Sequence, residues 1–232
     1  MQQHYAIIVA GGSGSRMNSD LPKQFLCLDG KPILMHTLNR FAESACSPHI
    51  ILVLHADMIA YWEACCREHH YTVPHQIVSG GKTRFQSVKQ GLQTILQAQP
   101  QALDKTLIAI HDAARPVIRP SLIDRCYQQT ETHGATVLAV ASTNSIRQGD
   151  PANNKALDRE KVWLVQTPQT FRGDILQEAF KQDELPTFTD DASVVEKLGY
   201  RIQLIPGDPR NIKITFPEDL AIAQYHLSTL TR

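Results

Sequence analysis

The 232-residue chain carries 23 Lys and Arg against 23 Asp and Glu, so no bulk field draws it to nucleic acid or an anionic membrane, and any phosphate binding must come from local clustering. Its 42% hydrophobic residues fall in short runs, none approaching the roughly 18 residues of a membrane span, and the apolar start from Tyr5 to Ala10 lacks the basic flank and length of a secretory signal. Five cysteines (Cys27, Cys46, Cys65, Cys66 and Cys126) are odd in number and form no Cys-x-x-Cys pair, which argues against a disulfide framework and for a reducing compartment. The expectation is a soluble cytoplasmic α/β protein with one domain over residues 1–232.

Tyr5–Ala10 predicts a buried strand that stops at Gly11-Gly12-Ser13-Gly14-Ser15-Arg16. Pro32 opens an amphipathic helix with Leu34, Leu38 and Phe41 on one face. Ile50–His55 predicts a second strand, Met58–His70 a helix, and Gln76–Val78 a short strand ending at Gly80-Gly81. Phe85, Val88, Leu92 and Ile95 mark another helix. Leu107–Ile110 predicts a strand running into His111-Asp112-Ala113-Ala114-Arg115-Pro116.

After a strand at Val137–Ala141 the pattern changes. Residues 142–160 hold two extended pieces around the turn signal Gly149-Asp150-Pro151. Ile146 and Leu157 are their only large apolar residues, so little core can come from them. A lone two-stranded hairpin is marginal in water. The segment therefore predicts a projecting arm that docks on a second subunit of a homodimer; a disordered surface loop is the alternative. Helices at Gly173–Gln182 and Asp191–Leu198 follow, the second capped by Thr189 or Asp190. Strands at Arg201–Ile205 and Ile212–Thr215 and a closing helix at Pro217–Leu227 complete the chain.

Strands separated by helices predict a mostly parallel sheet covered on both faces, with ligands at the carboxyl ends of the strands. Three loops there stand out chemically: 11–23, 80–87 and 111–116. In the first, glycines let the backbone approach a ligand with N–H groups exposed, and Arg16 and Lys23 add cations suited to a polyphosphate. No Gly-Lys-Ser/Thr follows, and a third glycine and an acidic residue after the second strand are both missing, so neither a Walker loop nor a dinucleotide fingerprint is present. A plain strand-to-helix turn remains the alternative. In the third loop, Asp112 has the chemistry to hold magnesium or accept a hydroxyl, and Arg115 to grip a phosphate. An internal Asp112–Arg115 salt bridge explains the same residues. Cys65, Cys66, His69 and His70 repeat at the i, i+4 spacing of zinc ligands, a spacing a surface helix also produces. No Gly-x-Ser-x-Gly elbow is present.

Together, residues 10–17, Pro22-Lys23-Gln24-Phe25, His111–Pro116 and Asn211-Ile212-Lys213 resemble the 2-C-methyl-D-erythritol 4-phosphate cytidylyltransferase family, in the right order and over nearly the whole chain. The resemblance implies a Rossmann-like nucleotidyltransferase fold with CTP, Mg²⁺ and methylerythritol phosphate as ligands. It implies catalytic roles for Arg16, Lys23, Arg159 and Lys213, and nucleotide contacts from Ala10, Gly11, Gly12, Gly14, Gly81, Ser87 and Ala113. Asp112, Arg115, Ser145, Thr167 and Thr189 match the sugar-phosphate site, with Asp112 also the candidate protein ligand of a magnesium ion held mainly by the CTP phosphates. In the family a partner's hairpin arm completes that site. Two departures stand out: Asn144-Ser145 where the family often has Asp-Thr, and Lys82 where some relatives are acidic. A ribitol 5-phosphate cytidylyltransferase and a nucleotide-binding module without turnover are the rival readings.

Overall fold

The computed structural model describes residues 2–12, 21–98 and 101–230. In chain order the elements are β1 (Gln3–Ala10), β2 (Cys27–Leu28), β3 (Lys31–Pro32), α1 (Ile33–Ala42), β4 (His49–Leu54), α2 (Ile59–Glu68), β5 (Gln76–Ser79), α3 (Arg84–Ala98), β6 (Thr106–Asp112), α4 (Pro120–His133), β7 (Ala135–Ala141), β8 (Ile146–Gly149), β9 (Asn154–Leu157), β10 (Trp163–Arg172), α5 (Gly173–Ala179), α6 (Asp191–Glu196), β11 (Gln203–Pro206) and α7 (Glu218–Leu230).

The most continuous apolar run becomes an inner strand. β1 lies between β6 and β4, parallel to both. The seven-stranded sheet runs β11-β7-β10-β6-β1-β4-β5. Strand periodicity sends alternate residues to opposite faces. Ala6, Ile8 and Ala10 pack with Leu34, Leu38 and Phe41 of α1, Trp62 of α2 and Ile123 and Tyr127 of α4. Tyr5 and Ile7 meet Phe85, Val88 and Leu92 of α3, Leu176 of α5 and Val195 of α6. A smaller cluster of Leu28, Ile33, Val117, Ile214, Ala223 and Leu227 seats α7. The expected α/β layering with helices on both faces is present.

Four elements lie outside the sequence reading, two of them the short antiparallel pair β2 and β3. α4 is a full helix that buries Ile123, Cys126, Tyr127 and Thr130. β10 sits between β6 and β7 and runs antiparallel to both. Its register against β7 shifts between Val165 and Gln169, where Pro168 has no N–H to give a ladder. One expected strand is absent: residues 212–215 have no strand pairing. Their contact with the adjoining loop includes Ile214 N–H donating to Ala114 O at 2.8 Å. The arm is present as the separate ladder β8–β9. Among the described residues, no helix is long and apolar enough to cross a membrane.

Candidate active site

β1, β4, β5 and β6 all end at one edge of the sheet, and the loops that follow enclose a cleft of about 550 Å³. Its floor is small: Gly11, Gly12, Gly81, Ala113 and Ala114. Its charged lining is Lys23, Lys82, Arg84 and Lys213 around Asp112, the only carboxylate lining it among the described residues. A second depression, of about 590 Å³, opens at the strands' other ends near Tyr5, His49 and Gln76 and has no Lys, Arg, Asp or Glu in its wall. The charge distribution selects the first for an anionic ligand.

Buried hydrogen bonds fix the loops. Gln24 is 3% exposed, and its Nε2 donates to Ala10 O at 2.7 Å, tying the short helix after the glycine loop to the end of β1. Ala113 N–H donates to Val9 O at 3.0 Å, joining the β1 and β6 loops. Lys23 Nζ donates to Ile214 O at 2.7 Å, so an ammonium is held at the cleft wall by the segment that also brings Lys213. Gly81 is required sterically: a Cβ there would lie 2.3 Å from Gln86 Cβ. Ser87 Oγ donates to Thr83 O at 2.8 Å and closes the same turn.

Asp112 is the electrostatic centre. Its carboxylate lies 3.0 Å from Lys213 Nζ and 3.5 Å from both Arg84 Nε and Arg115 Nε. Burial alone would raise its pKa, but Arg84, then Lys213 and Arg115, outweigh that and hold the carboxyl well below its ordinary range. Arg115 Nη1 also donates to Asn211 O at 2.9 Å. Neighbouring His111 is fully buried, with Nδ1 3.0 Å from Thr167 Oγ1 and Nε2 3.2 Å from Arg115 O. Burial pushes its pKa down to about 4, so it is a neutral structural imidazole at pH 7.

A cationic, glycine-floored cleft at the carboxyl edge of a mostly parallel sheet is a nucleotide site in form. The sequence profile of the 2-C-methyl-D-erythritol 4-phosphate cytidylyltransferase family matches residues 4–229. The chain belongs to that family. It is thereby a nucleotidyltransferase by membership. Curated cytidylyltransferases from Porphyromonas gingivalis and Bacteroides thetaiotaomicron are 46% and 45% identical, the first match covering 98% of this chain and 99% of its relative, the second 93% and 95%. The crystal structure of the Francisella tularensis 2-C-methyl-D-erythritol 4-phosphate cytidylyltransferase superposes with a TM-score of 0.79 at 32% identity, covering 97% of this chain and 99% of that one.

Of the residues matched to cytidylyltransferase motifs, Ala10, Gly11, Gly12, Lys23, Gly81, Ser87, Asp112, Ala113 and Lys213 all line the cleft. Gly14 and Arg16 lie outside the described residues. The other five do not line it. Arg115 and Thr167 are turned into the scaffold, where Thr167 Oγ1 also accepts from Asp112 N–H at 3.1 Å. Thr189 is exposed just before α6. Ser145 and Arg159 are exposed on and beside the arm, Arg159 Nη1 donating to Thr143 O at 3.4 Å. Sequence reading missed Arg84 and Asp191, which form a bidentate pair with both N···O distances 2.7 Å. Arg84's place at the start of α3, just after the Gly-Gly loop, was the available signal; its carboxylate partner lies 107 residues away. Among the described residues, no three His, Cys, Asp or Glu side chains gather to hold a metal ion.

Proposed function

We propose that this chain transfers the cytidylyl group of CTP to 2-C-methyl-D-erythritol 4-phosphate, giving 4-diphosphocytidyl-2-C-methyl-D-erythritol and pyrophosphate, a step toward isoprenoid precursors. The observation that carries the reading is the cleft's charge: Lys23, Lys82, Arg84 and Lys213 line it against one carboxylate, Asp112, among small glycine and alanine residues. The attacking phosphomonoester is already mostly dianionic, with a second pKa of about 6, so it needs no general base. His111 accords with this, being buried with both ring nitrogens engaged. What the reaction needs is relief of anion–anion repulsion during in-line attack on the α-phosphate, and a place for charge on departing pyrophosphate. Lys23 and Lys213, with Arg16 from the same glycine loop, are suited to supply it. The backbone at Gly11 and Gly12 allows close approach of the nucleotide.

Magnesium fits a limited role. Mg²⁺ at nucleotide sites is commonly held by substrate phosphates and one or two carboxylates, and Asp112 offers one, already balanced by three cations. Asp112 would hold the ion beside the CTP phosphates, where it would neutralise phosphate charge.

The arm is assigned to a homodimer, with Ser145 and Arg159 reaching the partner's sugar-phosphate site. Supporting this, Leu157, Trp163, Leu164 and Val165 leave apolar surface exposed on the arm and where β10 leaves it. A cytoplasmic setting agrees with five free thiols. Pyrophosphate release with CTP and either methylerythritol phosphate or ribitol 5-phosphate tests the reading. Turnover with the first alone is expected. Preference for ribitol 5-phosphate would reassign the substrate, and no release with either would refute catalysis.

A further inference from the structure

Residues 83–86 engage a second segment of the chain side chain by side chain. Arg84 gives Nη1 and Nη2 to the two oxygens of Asp191 at 2.7 Å each, and its Nε faces Asp112 at 3.5 Å. Thr83 Oγ1 donates to Glu184 Oε2 at 3.0 Å, and Gln86 Nε2 donates to the same oxygen at 3.3 Å. Between them the Phe85 ring stacks on Phe188 at 5.9 Å and on Phe180 at 4.8 Å. Residues 83, 84 and 87 line the nucleotide cleft, whereas no residue from 184 to 191 does. That second segment carries Thr189.

We propose that Arg84 is a positioning residue that couples the nucleotide loop to residues 184–191, setting Thr189 and Asp112 in register for the sugar phosphate. The inference rests on the nucleotidyl-transfer reading above. Its physical basis is the planar guanidinium. One rigid plane satisfies Asp191 with its fork and Asp112 with its remaining nitrogen, so it fixes the separation of the two carboxylates. A lysine is a single point charge and cannot do this. Asp191 is 1% exposed, so without Arg84 it would be a buried carboxylate with its fork partner gone. A shift at the nucleotide loop is thus carried to a segment that never touches the nucleotide. Small displacements of positioning groups are expensive: about 1 Å can cost ~10²-fold in rate.

Arg84→Lys and Asp191→Asn test this, beside wild-type protein. In amide hydrogen exchange without ligand, both variants are expected to exchange about tenfold faster over 184–190 while the α1 and α4 amides stay protected, the mark of a local opening. In turnover, KM for the sugar phosphate should rise about tenfold or more in both variants, with KM for CTP within about threefold in Asp191→Asn, whose side chain lies outside the cleft. CTP added to wild-type protein should slow exchange over 184–190, and this transmission should vanish in Arg84→Lys. Wild-type exchange rates in both variants would overturn the proposal whatever the substrate. So would equal rises in the two KM values of Asp191→Asn, or a bound nucleotide that leaves 184–190 unprotected in wild-type protein. Should neither variant fold, that last wild-type measurement decides alone. Failure of wild-type protein to release pyrophosphate is a separate result that refutes the functional reading, and exchange in the unliganded variants still decides the coupling.

Discussion

Stability between pH 7 and 4 should be governed in large part by His111. Its Nε2 lies 3.2 Å from Arg115 O, which can only accept, and its Nδ1 lies 3.0 Å from the Thr167 hydroxyl, so the neutral ring is satisfied at both nitrogens. Burial lowers its pKa from 6.5 to about 4. The unfolded chain therefore takes up a proton near pH 6.5 that the native state refuses until about pH 4, so stability falls as pH falls through that window. At about 1.4 kcal/mol per pH unit, the loss approaches ~3 kcal/mol at the acid end. Asp112 has a depressed folded pKa, so its stabilising contribution is kept above the ordinary carboxylate value and lost only as the pH drops below that. The two windows adjoin without cancelling. Urea unfolding of wild type and His111→Gln at pH 7.5 and 4.5 isolates the effect, because glutamine titrates in neither state. The wild type should lose about 2–3 kcal/mol more than the variant between the two pH values. Parallel pH slopes would refute the reasoning, whatever the absolute stability of the variant.

Lys23→Ala and Arg16→Ala should each lower kcat by at least ~10²–10³ with little change in Tm, as expected for one lost stabilising donor; near-normal kcat or an unfolded protein would remove their assignment. Arg159→Ala should raise KM for methylerythritol phosphate more than KM for CTP. Subunits carrying Arg159→Ala mixed with subunits carrying Lys23→Ala should regain part of the lost activity, and verified heterodimers without recovery would place the arm outside the partner's site. Gly81→Ala puts a methyl 2.3 Å from Gln86 Cβ, so it should cost ~1–3 kcal/mol of stability by overpacking and raise KM for CTP, read by urea unfolding and steady-state kinetics.

Why some parts of the fold were legible and others not follows from where each segment finds its partners. β1 and β4 announce themselves because Tyr5–Ala10 and Ile50–Leu54 are unbroken apolar runs, nearly all of them buried. β10 hides the same status. Gln166, Thr167, Gln169 and Thr170 are all buried, around a proline that local rules exclude from an inner strand. Their polarity is answered by remote groups. Gln166 Nε2 donates to Asp208 O, Gln169 Nε2 to Asp190 Oδ2, and Gln169 Oε1 accepts from Ala192 N–H. α4 was passed over because a threonine completes its apolar stripe, Thr130 being fully buried beside Thr136 with their hydroxyls 2.6 Å apart. The β-branched run at 212–215 misled in the other direction, since Ile214 N–H is given to Ala114 O in the loop after β6 and not to a strand. In the site, the three loops after β1, β5 and β6 stand out because each follows a strand end and carries glycine or charge, whereas the roles of Gly81, Ser87 and Ala113 come only from the family resemblance. Asp191 could not be placed, because the carboxylate needed by Arg84 has no local pattern.

The reversed direction of β10 has a bearing on how the chain is allowed to vary. β7 and β10 pair directly, Trp163 opposite Ala141, and Ser142 N–H donates to Val162 O at 3.0 Å. Residues 143–161 therefore leave and rejoin the molecule at adjacent points, as the open end of a hairpin whose stem is inner sheet. The stem closes whatever lies beyond it, and a tight turn joining Ser142 to Val162 would return the chain to β10 unchanged. A parallel β10 would instead have required a long crossover packed on the sheet. Nothing in the core constrains the length or wording of the excursion.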